Sequence, residues 1–402
     1  MNPQLERLYH IAQKPERRII GLMSGTSLDG LDVALCRVTG SGPETTVVVE
    51  QFTTVSYDEV FKDSIRAVFA KKQVDFEHLT LLNEAIGRQH GRWVADCLRT
   101  WNVPADEVDL VASHGQTVYH APEKQHRRPG YGNATLQIGD GDHIAAETGI
   151  ITLSDFRQRH IAHGGEGAPL AVYGDYFVFS QMGENRILLN MGGIANFTYL
   201  PGSLDASVVF TTDTGPGNTI LDAYARQFTG KPYDEDGQLA ASGQVNDTLL
   251  NALLDHPFFA QSFPKTTGPE VFNTGYVRDA QQRSQTENIA PEDLMATLTR
   301  FSAESIAQAI KKALANVPEA DRDVHVYMSG GGAHNPVLTK AIEALLPGCT
   351  FAKTDELGIA GDAKEAVLFA VLANECVAGS GTSFGNRQGV PSVSMGKISF
   401  TK

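Results

Sequence analysis

Six short polar clusters follow apolar runs in this 402-residue chain: Ser113-His-Gly-Gln-Thr117, Gly139-Asp-Gly-Asp142, Ser154-Asp-Phe-Arg157, Asn190-Met-Gly-Gly193, Asp213-Thr-Gly-Pro-Gly-Asn218 and Ser329-Gly-Gly-Gly332. Any one of them reads as turn chemistry. Together they suggest strand ends gathered round a ligand, because open α/β sheets bind at the carboxyl ends of their strands. Asp213 is the strongest candidate catalyst. It follows an apolar run and precedes GPGN, which opens a helix. A carboxylate there can take a proton from a nucleophile, while glycines and the helix N-terminus hold phosphate. The alternative is an Asx turn that only shapes the loop.

The segment GTSLDG at 25–30 has the character of a phosphate cradle. Its glycines let the backbone approach an anion, and successive N–H groups in a turn form an anion-binding concavity. Thr26 and Ser27 add hydroxyl donors. Asp29 would repel phosphate directly, so if it faces a site it acts through Mg2+ and its waters; otherwise it caps the turn. Three glycine loops, at 25–30, 190–196 and 329–333, point to a nucleotide more strongly than one would.

Competing motifs fail. There is no GxxxxGK followed by Ser or Thr, and no GxGxxG after a strand. Gly381-Thr-Ser-Phe-Gly385 matches GxSxG, but no histidine follows Ser383, so a hydrolase triad is excluded. His160 and His163 lie in an Arg-flanked loop without companion carboxylates, which fits a structural or substrate-contact role better than a metal. Glu365 closes Asp362-Ala-Lys-Glu365, whose capping-box spacing by itself explains both acids.

The elements that must position these residues alternate. Residues 18–24 and 31–38 read as strands of a hairpin around GTSLDG. RILLN, MGGIAN and FTYL, from Arg186 onward, repeat the pattern, which suggests two domains that each open with such a hairpin. Residues 76–101 form an amphipathic helix with Leu79, Leu82, Ile86, Trp93, Val94 and Leu98 on its apolar face. Runs at 108–113, 134–139, 149–154, 207–212 and 324–328 read as strands. Helices are expected at 219–229, with Asn218 as N-cap and Gly230 as C-cap, at 291–317, and from Pro336. Residues 363–376 form a nearly all-apolar helix, and 379–389 a surface loop before a last short strand. The class is α/β. The expected lobes are 1–183 plus 377–402, and 184–376.

Composition bounds the rest. With 33 Lys and Arg against 47 Asp and Glu, the formal charge is −14, which disfavours nucleic acid and anionic membranes as partners. No run of 18 apolar residues suggests a membrane span, and residues 1–18 lack a secretory signal. Four scattered cysteines without a CxxC pair fit a reducing cytoplasm.

GLMSGTSLDGLDVAL, SHGQT, QIGDG, DFR, GGEGAPL, NMGGIANFT, DTGPGN, SGGGAHN and the closing MGKI together resemble the anhydro-N-acetylmuramic acid kinase family, over residues 18–398. The resemblance implies the sugar kinase–actin superfamily: two related ribonuclease H-like domains around an ATP cleft, the first lobe on the sugar side and the second on the nucleotide side. It implies that ATP phosphorylates O6 of 1,6-anhydro-N-acetylmuramic acid while water opens the bridge, giving the 6-phosphate for peptidoglycan recycling. Asp213 carries over as the base that activates the water. Gly25, Thr26, Ser27, Leu28, Asp29, Gly30, Leu31 and Asp32 match the ATP-binding stretch. Asn190, Gly192, Gly193, Gly215, Gly217, Asn218, Gly330, Gly331 and Gly332 match its other nucleotide contacts. His114, Gln116, Thr117, Arg157 and Glu365 match the sugar or metal side, with Asp29 and Glu365 as candidate Mg2+ ligands. Arg157 suits the lactyl carboxylate, which a guanidinium can bind in two-pronged fashion, or else an interdomain ion pair. A cytoplasmic homodimer is the family expectation.

The chain departs from the family's usual form at 1–17 and in an insertion at 123–131, which bears on substrate selectivity. The rival readings are a kinase for levoglucosan and a non-enzymatic actin- or chaperone-like ATP-binding protein. SHGQT and DFR would have no role in the second.

Overall fold

The computed structural model describes residues 1–315, 317, 323–385 and 389–402. Its strands are β1 (Glu16–Ser24), β2 (Gly30–Thr39), β3 (Thr46–Ser56), β4 (Leu110–Ala121), β5 (Ala134–Ile138), β6 (Thr152–Ser154), β7 (Asn185–Met191), β8 (Ile194–Leu200), β9 (Phe210–Pro216), β10 (Val324–Ser329), β11 (Cys349–Lys353) and β12 (Lys397–Ser399). They fall in two compact units: Met1–Phe179, Ala206–Val208 and Gly358–Lys402 form the first, and Ser180–Asp205 with Val209–Leu357 the second.

In the first unit the strand order is β12-β6-β4-β1-β2-β3, with β5 on β4. β1, β2 and β3 are an antiparallel meander, and β4 and β6 join parallel on the far side of β1. The second unit has the order β11-β10-β7-β8-β9. Here β7, β8 and β9 form the meander, and β10 and β11 join parallel on the far side of β7. The two units therefore share one topology, which is the duplication the paired hairpins predict. Each parallel crossover runs through a long helix: Phe76–Trp101 before β4 and Pro291–Ala313 before β10.

β1 is buried along nearly its whole length, as befits a strand covered on both faces. A Cβ on Gly21 would stand 1.9 Å from the Ala366 carbonyl oxygen. The helix Lys364–Ala378 thus lies directly on β1, and its buried face of Ala366, Val367, Phe369 and Ala370 completes that core. This moves 358–376 into the first unit, where the expected division put them in the second lobe. Chain continuity suggested the second lobe; the apolar face decides for the first.

The segment 1–17 is folded onto the first unit. A helix at Pro3–Gln13 starts at the Asn2 cap, and Lys14 pairs with Asp109 at 2.5 Å. Arg17 is buried, with Nε donating to Asn374 and Nη2 to the Gly40 carbonyl.

Two strands differ from expectation at places that matter. β4 continues past Ser113 to Ala121, because β5 pairs with its outer half; SHGQT is a bend within a strand. Gly115 makes that bend at φ 73°, and a Cβ there would lie 2.7 Å from the Ile138 carbonyl. Likewise the strand expected at 207–212 begins at Phe210 and runs through Asp213, which pairs with Asn196 of β8. Residues 206–208 are a 3₁₀ turn. The helix after β9 is Asn218–Thr229, so Gly217 and not Asn218 is its N-cap. The helix expected to reach 317 ends at Ala313, with 316 outside the described residues, as are 386–388 of the expected tail loop.

Candidate active site

The second unit ties three glycine turns into one knot. The Asn218 N–H donates to the Gly192 carbonyl at 2.8 Å, and the Gly217 and Thr219 N–H groups to Gly193 at 2.9 and 3.1 Å. Asn218 Nδ2 donates to the Met191 carbonyl at 3.0 Å. A Cβ on Gly217 would meet the Gly192 oxygen at 2.3 Å, and one on Gly330 would meet Asn190 Oδ1 at 2.6 Å. These glycines are thus required by close backbone approach. A cavity of about 430 Å³ opens beside the knot, lined by Asn218, Asp222, Tyr233, Asp234, Gly331 and His334 among others. Asn190, Gly192, Gly193, Gly217, Asn218 and Gly330–Gly332 are brought together here. Gly215 belongs to β9, where φ is 142° and a Cβ would crowd Ser305 and Phe259; its requirement is packing.

Asp213 is half-buried. Its Oδ2 accepts from the Thr267 N–H at 2.8 Å, and no other hydrogen bond reaches the carboxylate among the described residues. Burial pushes its pKa up, against the Thr267 bond, and the Glu270 charge adds to the rise. A carboxylate that serves as a general base must be ionised, so that role for Asp213 would predict a fall in activity as pH drops through a value raised from its ordinary one.

Sequence reasoning missed Lys265, which anchors this arrangement. The Asp213 N–H donates to its carbonyl at 3.0 Å, and Thr212 Oγ1 accepts from its N–H at 3.0 Å. The side chain is buried, with Nζ donating to the Phe258 carbonyl at 3.0 Å and lying 4.1 Å from that ring's centroid. No carboxylate pairs with it among the described residues. Burial first, and then the Lys312 charge, bring its pKa down to about 8. Between about 8 and the ordinary 10.5, the unfolded chain holds the proton that the folded chain has released, so stability rises with pH across that window. Lys265→Met should lack this rise in denaturant titrations. Its turnover should change little, because the bonds to Thr212 and Asp213 are made by the Lys265 main chain, which the substitution keeps.

In the first unit, the 25–30 turn is braced from behind. Ser24 Oγ lies 2.8 Å from the Tyr57 hydroxyl, which lies 3.3 Å from His90 Nε2. Ser24 also donates to Gln116 Oε1. Gln116 is fully buried, and its amide points at the Gly25 carbonyl at 3.4 Å. It holds the turn and faces no open surface. Leu28 and Leu31 are buried too, so only their backbone can meet a ligand. Leu28 adopts φ 61°, a left-handed conformation costing a non-glycine residue about 1–2 kcal/mol. Such strain concentrates at functional sites. A Cβ on Gly30 would meet the Val55 oxygen at 2.5 Å, whereas Gly25 has only Ser27 atoms nearby, the closest at 3.5 Å. Gly30 is therefore a packing glycine, and Gly25 leaves room for a ligand. Thr26, Ser27 and Asp29 are exposed.

Behind this turn, carboxylates feel one another. Asp32 is raised mainly by burial, with Asp362 and Asp29 adding to the rise and a 2.6 Å hydrogen bond from Thr54 opposing it. Glu365 is also raised chiefly by burial, against Arg157 and with Asp32. Glu365 keeps substantial solvent contact, so the crowding round its carboxylate is one-sided. Among the described residues no three His, Cys, Asp or Glu side chains form a metal cage. The oxygen-only, mutually repelling set does fit Mg2+, which is commonly held by one or two carboxylates plus phosphate oxygens. Asp32 joins Asp29 and Glu365 as a candidate ligand.

Arg157 is held in place from two sides. Its Nε donates to His114 Nε2 at 2.9 Å and its Nη1 to the Gly167 carbonyl at 2.6 Å. His114 is buried against Phe369, with ring centroids 4.8 Å apart. Burial, and then the Arg157 charge, push its pKa down to about 3. It is thus a neutral acceptor whose proton sits on Nδ1, and it positions Arg157 without moving protons. With Nε so occupied, capture of a carboxylate falls to the terminal nitrogens. His114→Leu should raise KM for an anionic substrate by roughly 10–100-fold with little change in kcat, since a lost bond to a charged group costs about 1.5–3 kcal/mol. Thr117 is half-buried and accepts from Gln137 at 3.2 Å.

His114, Gly139–Asp142, Ser154 and Asp155 line a first-unit cavity of about 570 Å³. The turn explanation also holds for one of these clusters: Asp140 caps the helix Gly141–Thr148.

The chain is thus a duplicated α/β protein, its second unit carrying a glycine knot beside a cavity of about 430 Å³. The family model described as Anhydro-N-acetylmuramic acid kinase matches residues 17–399. Proteins named anhydro-N-acetylmuramic acid kinase from Pseudoalteromonas atlantica and Pseudoalteromonas translucida are 57% and 53% identical to this chain, each over 403 residues covering all of both proteins. One of the same name from Caldanaerobacter subterraneus is 37% identical, covering 98% of this chain and 100% of its own. The chain belongs to the anhydro-N-acetylmuramic acid kinase family. Neither rival reading is favoured, and the two Pseudoalteromonas proteins align through the 1–17 segment as well.

Proposed function

We propose that this chain transfers the γ-phosphoryl group of ATP to O6 of 1,6-anhydro-N-acetylmuramic acid while water opens the anhydro bridge, giving N-acetylmuramic acid 6-phosphate. The observation that carries the mechanism is Asp213. It is half-buried, one carboxylate oxygen is fixed by the Thr267 N–H, and the other is free to take a proton. In this reading Oδ1 accepts the proton of the water that attacks the anomeric carbon. The bond from that carbon to the bridge oxygen breaks, and the freed O6 attacks the γ-phosphorus, releasing ADP.

The knot of Asn190, Gly192, Gly193, Gly217 and Gly330–Gly332 would hold the nucleotide on the second unit, beside the cavity at Tyr233 and His334. The Gly25–Asp32 turn would present N–H and hydroxyl donors to its phosphates. Mg2+, held by Asp29, Asp32 or Glu365 together with phosphate oxygens, would neutralise charge on the transferring group. Arg157, set by His114, would bind the lactyl carboxylate on the first unit. Thr117 would face the same sugar, and Gln116 would act by holding the turn.

No helix among the described residues is long and apolar enough to cross a membrane, and all four cysteines are free. A cytoplasmic place in peptidoglycan recycling and a homodimer both rest on the family resemblance.

The test is ADP release with anhydro-N-acetylmuramic acid, levoglucosan and N-acetylmuramic acid side by side. The first should be turned over well above the other two. ADP release equal with and without sugar would overturn the reading.

A further inference from the structure

We propose that the basin formed by Lys71, Lys72, His120, His126 and Arg128 is an electrostatic entry for the anionic sugar, concentrating its carboxylate near Arg157. The inference rests on the sugar-kinase reading above.

The basin is a concavity of about 780 Å³ in the first unit, and no Asp or Glu lines it. Lys71, Lys72 and Arg128 are exposed and pair with no carboxylate among the described residues, whereas nearby Lys124 pairs with Glu166 at 2.8 Å. The loop that carries Arg128 is tied down. His126 Nε2 donates to the Gly132 carbonyl at 3.0 Å, and its Nδ1 accepts from the Arg128 N–H at 2.9 Å. Asn133 accepts from the Glu123 N–H at 2.9 Å and donates to the Gly165 carbonyl at 3.2 Å. Both ring nitrogens of His126 are taken up by these backbone bonds, so the charge on this shaped surface is that of the three cations Lys71, Lys72 and Arg128.

The basin adjoins Arg157 through the turn at 165–167: Asn133, which lines the basin, donates to the Gly165 carbonyl, and Arg157 Nη1 donates to the Gly167 carbonyl at 2.6 Å. At His120, burial lowers the pKa first, and the Arg157 charge lowers it further; Lys124 acts with Arg157 and Glu166 against it. The chain as a whole carries −14, which repels a carboxylate at long range. A concave patch of unpaired positive charge reverses that field locally and raises substrate concentration and on-rate, the more so at low salt. This gives the insertion at 123–131, which supplies Arg128, a role in selecting an anionic sugar.

The experiment compares kcat and kcat/KM for anhydro-N-acetylmuramic acid in wild type and in the triple variant Lys71→Glu, Lys72→Glu, Arg128→Glu. A control triple variant, Arg92→Glu, Arg99→Glu, Lys340→Glu, makes the same change in net charge elsewhere. At about 0.01 M salt, where the screening length is roughly 30 Å, the basin variant should lose roughly tenfold in kcat/KM. Its kcat should be unchanged and the control should lose far less. At about 1 M salt, where screening acts within roughly 3 Å, the deficit should vanish. Lys71→Gln, Lys72→Gln, Arg128→Gln should show a smaller deficit with the same salt dependence, which covers any folding defect of the reversed variant. An equal loss in the control, a loss that persists at high salt, or no loss would each overturn the inference. Wild-type protein that fails to turn over the sugar would instead overturn the functional reading.

Discussion

Asp213→Asn should lower turnover of the anhydro sugar by roughly 10²–10⁴-fold, the range that general-base catalysis contributes, while ATP binding stays measurable. The asparagine amide can keep its oxygen on the Thr267 N–H, so β9 and the Lys265 segment should hold their places. What it cannot do is accept the proton of the attacking water. Single-turnover kinetics with ATP titrated calorimetrically would check both halves. Full activity in this variant would remove Asp213 from the mechanism. A joint loss of activity and nucleotide binding would assign it to the architecture of the second unit.

Gly330→Val should have the next largest effect, on the nucleotide. Gly330 has φ 80°, and a Cβ there would meet Asn190 Oδ1 at 2.6 Å and the Met191 carbonyl carbon at 2.9 Å. The left-handed backbone alone costs a non-glycine about 1–2 kcal/mol. Displacing backbone at Met191 opens the knot that Asn218 ties to that carbonyl. We expect the ATP dissociation constant to rise by about 100-fold or more, equivalent to ~2.7 kcal/mol, with a fall in the denaturation midpoint. Gly331→Ala is the matched contrast, because its Cβ would meet only Asn218 Nδ2, at 3.3 Å. Its effect should be several-fold at most. An unchanged ATP dissociation constant in Gly330→Val would show that the knot does not hold the nucleotide.

Much of this was legible in the sequence because it depends on local chemistry. The helix expected at 76–101 is found at Phe76–Trp101, where the apolar periodicity and the Asp75 cap agree. The paired hairpins were visible because each has a polar glycine turn between apolar strands, and they foretold the shared topology of the units. Gly230 ends its helix in the left-handed conformation, as expected.

What escaped notice depends on partners distant in sequence. The sequence signal for β4 stops short because SHGQT has loop chemistry; only β5, folding back on it, makes 116–121 a strand. The helix Lys364–Ala378 was assigned to the wrong lobe because its partner, Gly21, lies more than 300 residues away. Gln116 reads in the sequence as a polar contact residue, but its partners are Ser24 and Gly25, about 90 residues earlier in the chain. Lys265 carried no signal beyond being a lysine in an apolar stretch, and that stretch of phenylalanines was the only hint of burial. For Arg157 the sequence suggests a lactyl carboxylate or an interdomain ion pair as partner, and nothing in it shows that His114, itself expected to touch sugar, holds its Nε.

The most direct measurement is turnover of anhydro-N-acetylmuramic acid and ATP in water enriched in heavy oxygen, with the label in the product located by NMR and mass spectrometry. If Asp213 directs water to the anomeric carbon, one labelled oxygen should appear there. The phosphate should be on O6, and none of its oxygens should be labelled. Label in the phosphate, or an unlabelled anomeric oxygen in a product formed too fast for exchange, would contradict the account.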